Sequence, residues 1–416
     1  MAAVRQKSNA SRTMLHRAWR ILLVAGLLGL ASPSPWCAEA PPVVSAASAL
    51  LMDCETGKVL LAKGARQRRP VASTTKIMTA LLIMESGRLK NEVTISENAL
   101  KTKCGSLWVD AGQKMPMADL LKAILLNSSN DGCVAAAEAI AGSEAKFVQL
   151  MNRRARRIGA RDTHFADSNG LYLPDHYSTA YDLALITRQA LKHPLIRQLV
   201  ATKTLVIPWP GKRWGRVLHN RNKLLWMLEG ADGVKTGYVK ESGKCLVASA
   251  TRGGWQLLAV VLNSEDVWAD ASRLLEYGFA RFRMVRAARK GQVIGSAPLV
   301  GGRAERVKLV GAEPISVVVK KEDAGRCRFD NTIRLPLRAP LEKGERVGEG
   351  RLWLGGRVVS RAGLLAAQAV ALSWFLTLWL WTKRLVLLAA AVFLAGLGIR
   401  TCAKAARAVW AQRRGG

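Results

Sequence analysis

The sequence predicts a protein of the α/β class, mixed α+β in kind, followed by a small all-β domain and apolar helices at the C-terminal end. Three observations carry this expectation. From Ala47 to about Phe282, β-hairpin signals are interspersed with amphipathic helical spacing. From about Arg283 to Arg351, short alternating runs are separated by Gly, Pro and charged turns. After Ala362, apolar runs of membrane-spanning length take over. The 416 residues leave room for two or three domains and a large core.

Residues 1–40 read as an export signal. Arg5, Lys7, Arg12, Arg17 and Arg20 form a basic leader, residues 21–31 an apolar core, and Ala38-Glu39-Ala40 a small-x-small exit. The mature protein is expected outside the cytoplasm. Residues 47–53 and 58–62 flank Glu55-Thr56-Gly57 and predict a hairpin. Pro70, then Ile77, Met78, Leu81 and Leu82, predict a helix that stops at Ser86-Gly87. Residues 117–126 carry apolar pairs at Leu120/Leu121 and Ile124/Leu125, which is amphipathic helix spacing. A polar loop over 127–131 leads to a second helix over 133–141. Residues 144–158 predict a basic amphipathic helix, and 182–191 another. Residues 232–238, 245–252 and 255–262 read as strands, the last two joined by Gly253-Gly254 in a tight primed turn. Together these define a domain over 41–283.

The β domain is expected over 284–358, with strand signals at 306–310, 315–319, 332–337 and 351–354. Residues 361–416 read as apolar membrane-anchoring helices with a basic tail. Within them residues 362–382 and 385–399 are separated by Lys383-Arg384. A chain ending near Gly356 is accordingly expected to be soluble and active.

The net charge of +33 calls for an anionic partner or surface. Nucleic acid is disfavoured, because the basic residues are spread along an exported chain without zinc-finger spacing. Anionic lipid or an anionic wall polymer suits the charge. The seven cysteines are scattered and never in C-x-x-C spacing, so neither a disulfide framework nor a zinc site is expected. No His-Glu-x-x-His and no Gly-x-Ser-x-Gly is present, which removes the metalloprotease and histidine-dependent serine hydrolase readings.

Three short motifs carry chemistry. Ser73 and Lys76 lie one turn apart at a predicted helix start, where a lysine kept partly neutral by burial can take the hydroxyl proton. Ser143 and Lys146 have the same spacing but read better as a helix cap and a solvated lysine. Ser128-x-Asn130 falls in the polar loop, where its side chains can project into a cleft. Lys235-Thr236-Gly237 lies on a predicted strand and offers a cation and a hydroxyl to a carboxylate. Each motif alone is weak, whereas the ordered trio on helix, loop and strand is specific.

In that order the trio resembles the low-molecular-weight penicillin-binding proteins of the serine-type D-alanyl-D-alanine carboxypeptidase family. Residues 52–85, 127–143, 169–184, 220–226 and 232–251 extend the resemblance, and 337–344 resemble that family's C-terminal β domain. The resemblance implies a penicillin-recognising serine-enzyme fold (β-lactamase/transpeptidase-like), with an antiparallel sheet flanked by helices. It implies Ser73 as nucleophile, Lys76 as general base, Ser128 as proton relay and Asn130 as holder of the substrate amide. Lys235 and Thr236 would bind the terminal carboxylate, with Arg221 nearby. Gly237 completes the strand motif, and the N–H groups of Ser73 and Tyr238 would form the oxyanion hole.

The implied substrate is a peptidoglycan stem peptide ending in D-Ala-D-Ala, and β-lactam antibiotics would acylate the same serine. No cofactor or metal is implied. Membrane lipid would meet the C-terminal helices, placing the catalytic domain on the extracytoplasmic side. Many relatives carry a second arginine before a stretch matching Leu274–Phe279; here residues 264–272 have none, which weakens the case for exopeptidase over D,D-endopeptidase action. A class A-like β-lactamase is the rival enzyme. It needs a Glu-x-x-x-Asn loop, and none of Glu138, Glu144 and Glu229 has Asn four residues on. The non-enzymatic rival is a β-lactam sensor or wall-binding protein with an inactive site.

Overall fold

The structure is a computed structural model that describes residues 40–102, 107–209 and 211–412. The export-signal reading (Ala40 apart), Cys37 and Cys104 fall outside those residues. Strands β1 (Ser48–Asp53), β2 (Val59–Lys63), β3 (Ala231–Val239), β4 (Gly243–Arg252) and β5 (Trp255–Ser264) form one antiparallel sheet, ordered β2-β1-β5-β4-β3. Both glycines of the β4–β5 turn have positive φ, 55° and 73°, as a primed turn requires.

The two-residue period of these strands divides their side chains between two cores. Leu50, Met52, Val247, Leu258 and Val260 face one, while Leu51, Leu246, Ala248, Ala259 and Val261 face the other. The first face is covered by α1 (Lys76–Glu85), α2 (Met117–Leu126), α3 (Asn130–Ala141), α4 (Glu144–Ile158), α5 (Ala180–Ala190) and α6 (Pro194–Ala201). Helix α7 (Val267–Arg281) covers the second. Helix α1 is buried on nearly every side, from Lys76 through Leu81, as a central helix apolar all round must be.

One local reading changes. Helix α3 begins at Asn130, so only residues 127–129 remain outside the helices. The cap is Ser129, whose Oγ accepts from the Gly132 N–H. Ser143 caps α4 by accepting from Lys146 N, so the second Ser-x-x-Lys is a cap as expected.

Helix α7 runs directly into β6 (Phe282–Ala288), the first strand of the β domain. There β7 (Val293–Val300), β8 (Arg306–Gly311), β9 (Ile315–Lys320), β10 (Cys327–Ile333), β11 (Leu337–Arg338), β12 (Arg346–Leu354) and β13 (Arg357–Ala366) follow. β6 pairs with β9, and the others form a sheet ordered β10-β12-β13-β8-β7-β11. The run over 332–337 is split between β10 and β11, since Pro336 has no N–H to continue a ladder. The β domain is tied to the β1–β2 hairpin: Lys58 Nζ donates to Val318 O at 2.7 Å, and Glu55 accepts from Ser316 Oγ at 2.8 Å and pairs with Arg286.

The expected anchoring region, 361–416, is corrected at its start. Ala362, Leu364 and Ala366 alternate into the β-domain core as part of β13, a period-2 pattern hidden in a continuous apolar run. The remainder is one helix, not several: α8 (Trp374–Gln412) runs through Lys383-Arg384 without a break, because both residues are good helix formers. Its apolar side chains, Trp374, Phe375 and Leu385 among them, are exposed, and it is long and apolar enough to cross a membrane.

Candidate active site

The site is assembled where α1, α3 and the edge strand β3 converge. Ser73 lies in a 3-10 turn, Ala72–Thr75, that leads without interruption into α1. Ala72 holds φ at +47°, a left-handed conformation unusual for a residue with a Cβ. The turn packs against Gly237 of β3, where an added Cβ would lie 2.9 Å from the Ser73 nitrogen. Only glycine allows the strand to approach the serine so closely.

Lys76, the first residue of α1, is fully buried. Its Nζ donates to Ser73 Oγ at 2.8 Å, Asn130 Oδ1 at 2.6 Å and the Asn169 carbonyl at 2.6 Å. The first two motifs are therefore joined through one ammonium, and the loop at Asn169, which sequence reasoning left without a role, supplies the third acceptor. Burial holds the Lys76 pKa below the usual lysine value; Cys133 and Asp167 oppose it more weakly, and Arg221 adds a smaller push in the same direction as burial. Lys235 is buried too, donating to its neighbour Thr236 O at 3.0 Å. Burial, then the charges of Lys76 and Arg221, push its pKa well down.

Ser73, Ser128, Arg221, Thr236, Gly237 and Tyr238 line one cavity of about 330 Å³. Lys76, Asn130 and Lys235 are buried residues of the same cluster but are not among the cavity-lining residues. All nine residues singled out in the sequence are thus brought to one place. The cavity is also lined by Lys244, Cys245, Val267 and Trp268, which sequence reasoning missed. Val267 and Trp268 occupy the start of α7, within the stretch that carries an arginine in many relatives, and no local motif marks them. Among the described residues that line the cavity there is no carboxylate. Among the described residues no cluster of His, Cys, Asp and Glu could hold a metal.

Neighbouring polar groups are structural. Asp131 accepts from the Leu107 N–H at 2.7 Å and from Ser129 Oγ, which fixes the start of α3. The buried Cys133 thiol donates to Ser129 O, and burial pushes its pKa up to about 12, so it is an inert thiol. Asp167 accepts from the N–H groups of Asn169 and Gly170 at 3.0 and 2.6 Å, which shapes the loop whose carbonyl meets Lys76.

Known proteins similar to this chain identify its family. Residues 36–266 match the D-alanyl-D-alanine carboxypeptidase family, and residues 282–372 match the penicillin-binding protein 5 C-terminal domain. The chain is 34% identical to D-alanyl-D-alanine carboxypeptidase DacF of Bacillus subtilis, over 80% of this chain and 87% of that one. It is 33% identical to D-alanyl-D-alanine carboxypeptidase DacA of Escherichia coli, over 79% and 84% of the two chains. Among solved structures, penicillin-binding protein 5 of Haemophilus influenzae aligns with a TM-score of 0.65 at 28% identity, covering 80% of this chain and 99% of its own. Penicillin-binding protein 6B of Escherichia coli aligns with a TM-score of 0.62, also at 28% identity, covering 80% and 98%. With the family match spanning more than half the sequence and the serine, lysine and strand motifs assembled around one cavity, the chain belongs to the D-alanyl-D-alanine carboxypeptidase family, the low-molecular-weight penicillin-binding proteins.

Proposed function

We propose that the protein removes the terminal D-alanine from peptidoglycan stem peptides through an acyl-enzyme on Ser73. The observation that carries this is the buried Lys76 ammonium 2.8 Å from Ser73 Oγ, with its pKa lowered by burial. In its neutral form Lys76 takes the Ser73 proton as Oγ bonds to the carbonyl carbon of the penultimate D-alanine. The N–H groups of Ser73 and Tyr238 receive the oxyanion. Ser128, in the same cavity, passes the proton to the leaving amine as the C–N bond breaks and D-alanine departs. Water then attacks the ester, gives its proton to the same base and frees Ser73. Asn130 orients the substrate amide. Lys235, Thr236 and Arg221 supply the positive field for the terminal carboxylate.

The chain is exported in this reading, with α8 as its membrane anchor and Arg400, Lys404 and Arg407 near the inner surface. The catalytic domain then lies on the extracytoplasmic side.

The absence of a carboxylate among the described residues lining the cavity favours a peptidase over a class A β-lactamase. After peptide acylation the freed D-alanine diffuses away and leaves room for water. After β-lactam acylation the leaving amine stays tethered and obstructs it. Each tenfold slowing of deacylation is about 1.4 kcal/mol of barrier, so one missing base separates turnover from trapping. A mass time course should show steady release of D-alanine from a D-Ala-D-Ala peptide and a long-lived penicillin adduct on Ser73. Ser73→Ala should abolish both. Rapid recovery of free enzyme from penicillin with no D-alanine release would reverse the assignment.

A further inference from the structure

Between Asp182 and Glu229 the chain has no carboxylate side chain and carries nine lysines and arginines. The middle of this segment is a two-stranded hairpin, Thr204–Ile207 with Arg216–His219. Its inner face is buried through Ile207, Leu218 and Arg216. Its outer face presents Val206 and Val217, cross-strand partners that are 59% and 51% exposed, with Trp214 at 63% beside them in the sequence. Trp226 is 52% exposed, and Lys203 Nζ stands 5.6 Å over its ring. A surface that combines exposed aromatic and apolar faces with positive charge fits a ligand with flat apolar faces and negative groups.

The hairpin borders the cleft. Its second strand leads within two residues to Arg221, which lines the cavity. Arg216 Nη2 donates to the Trp108 carbonyl at 3.2 Å, and the guanidinium lies 4.5 Å over the Trp209 ring. The Leu107 N–H, one residue before Trp108, is held by Asp131, next to Asn130. A molecule lying on the hairpin therefore lies beside whatever enters the cavity.

We propose that this hairpin and Trp226 dock the carbohydrate strand of the polymeric substrate, a reading that rests on the D-Ala-D-Ala activity above. Sugar rings stack their C–H faces on Trp214, Trp226 and the valine pair. Carboxylates of neighbouring stem peptides meet Lys203, Lys212 and Arg213. The stem peptide being cut then reaches Ser73 from a strand already held at the rim.

The test uses the full chain in detergent with the double variant Trp214→Ala, Val217→Asp. Its affinity for purified sacculi, measured by co-sedimentation in a Ser73→Ala background, should fall about tenfold, which is about 1.4 kcal/mol. Acylation by a β-lactam and turnover of a soluble D-Ala-D-Ala tripeptide should stay unchanged. Digesting the sacculi to single disaccharide-peptides should erase the difference between variant and parent, because only a continuous strand spans rim and cleft. Unchanged sacculus affinity would sink the proposal, as would equal losses on sacculi and tripeptide. A defect confined to phosphatidylglycerol micelles would assign the hairpin to a lipid surface instead. Sacculus binding by a parent that fails to turn over the tripeptide would leave the docking intact and overturn the activity.

Discussion

At the scale of single residues, the site depends on groups that never touch the cavity. His176 is buried, and its Nδ1 accepts from the Ala166 N–H at 3.2 Å. The proton must therefore sit on Nε2, which donates to Thr75 Oγ1 at 2.8 Å, two residues from the nucleophile. Burial pushes the His176 pKa down to about 4, with His164 and Lys76 acting the same way and Asp175 opposing. The unfolded chain, with an ordinary pKa near 6.5, binds a proton there that the folded chain refuses. This contribution to stability is complete above about pH 6.5 and is lost as pH falls toward 4, to a total of roughly 3 kcal/mol. His176→Gln keeps a donor toward Thr75 and removes the titration. Thermal melts from pH 7 to 4 should show a shallower decline for the variant than for the parent, and parallel curves would refute this account.

At the scale of elements, the loop after α4 and the turn before α1 are fitted to each other through a single glycine. Gly170 has φ +85°, and a Cβ there would overlap the carbonyl of Ala72, which cannot move without moving Ser73. Gly142, at the end of α3, has a similar φ of +80° but open space around it. Gly142→Ala should lower stability by about 1 kcal/mol and leave β-lactam labelling at its normal rate. Gly170→Ala should lower stability further and slow labelling at least tenfold. Equal labelling rates in the two variants would show that the loop does not position the serine.

This contrast also marks what the sequence made legible. Ser73-x-x-Lys76 and the glycine pair between β4 and β5 are local signals, set by one helical turn and one tight turn, and both appear where expected. The part of the cavity lining formed by Lys244, Val267 and Trp268 depends on strand register and on the docking of α7, so nothing local announces it. β13 was hidden for a different reason. Its small and apolar residues suit a buried strand and a membrane helix equally well until its partners β12 and β8 are known.

At the scale of the whole molecule, the placement of β13 changes where the chain can be cut. Ending it near Gly356 would remove the strand between β12 and β8 and expose the β-domain core. The domain instead closes at residues 370–373: Leu341 pairs with Val370, Gly302 with Leu372, and the Ser373 N–H donates to Gly301 O at 2.8 Å. A chain ending at Ser373 should fractionate without detergent and label with β-lactam at the parental rate. A chain ending at Gly356 should melt at a lower temperature or precipitate. Membrane fractionation of the Ser373 form would place the attachment outside α8.

The position of β3 has a consequence for the protein's colloidal behaviour. Among the described residues it pairs with β4 alone, and its Thr236, Gly237 and Tyr238 line the cavity. Such an edge is a template on which sheets of separate molecules can fuse. Exposed Lys240 follows it directly, and a net charge of +33 repels other copies. Concentrated salt shortens that repulsion to a few ångströms. Solubility and recognition therefore share one strip of backbone, and a cleft filled by peptide or drug is also an edge withdrawn from aggregation.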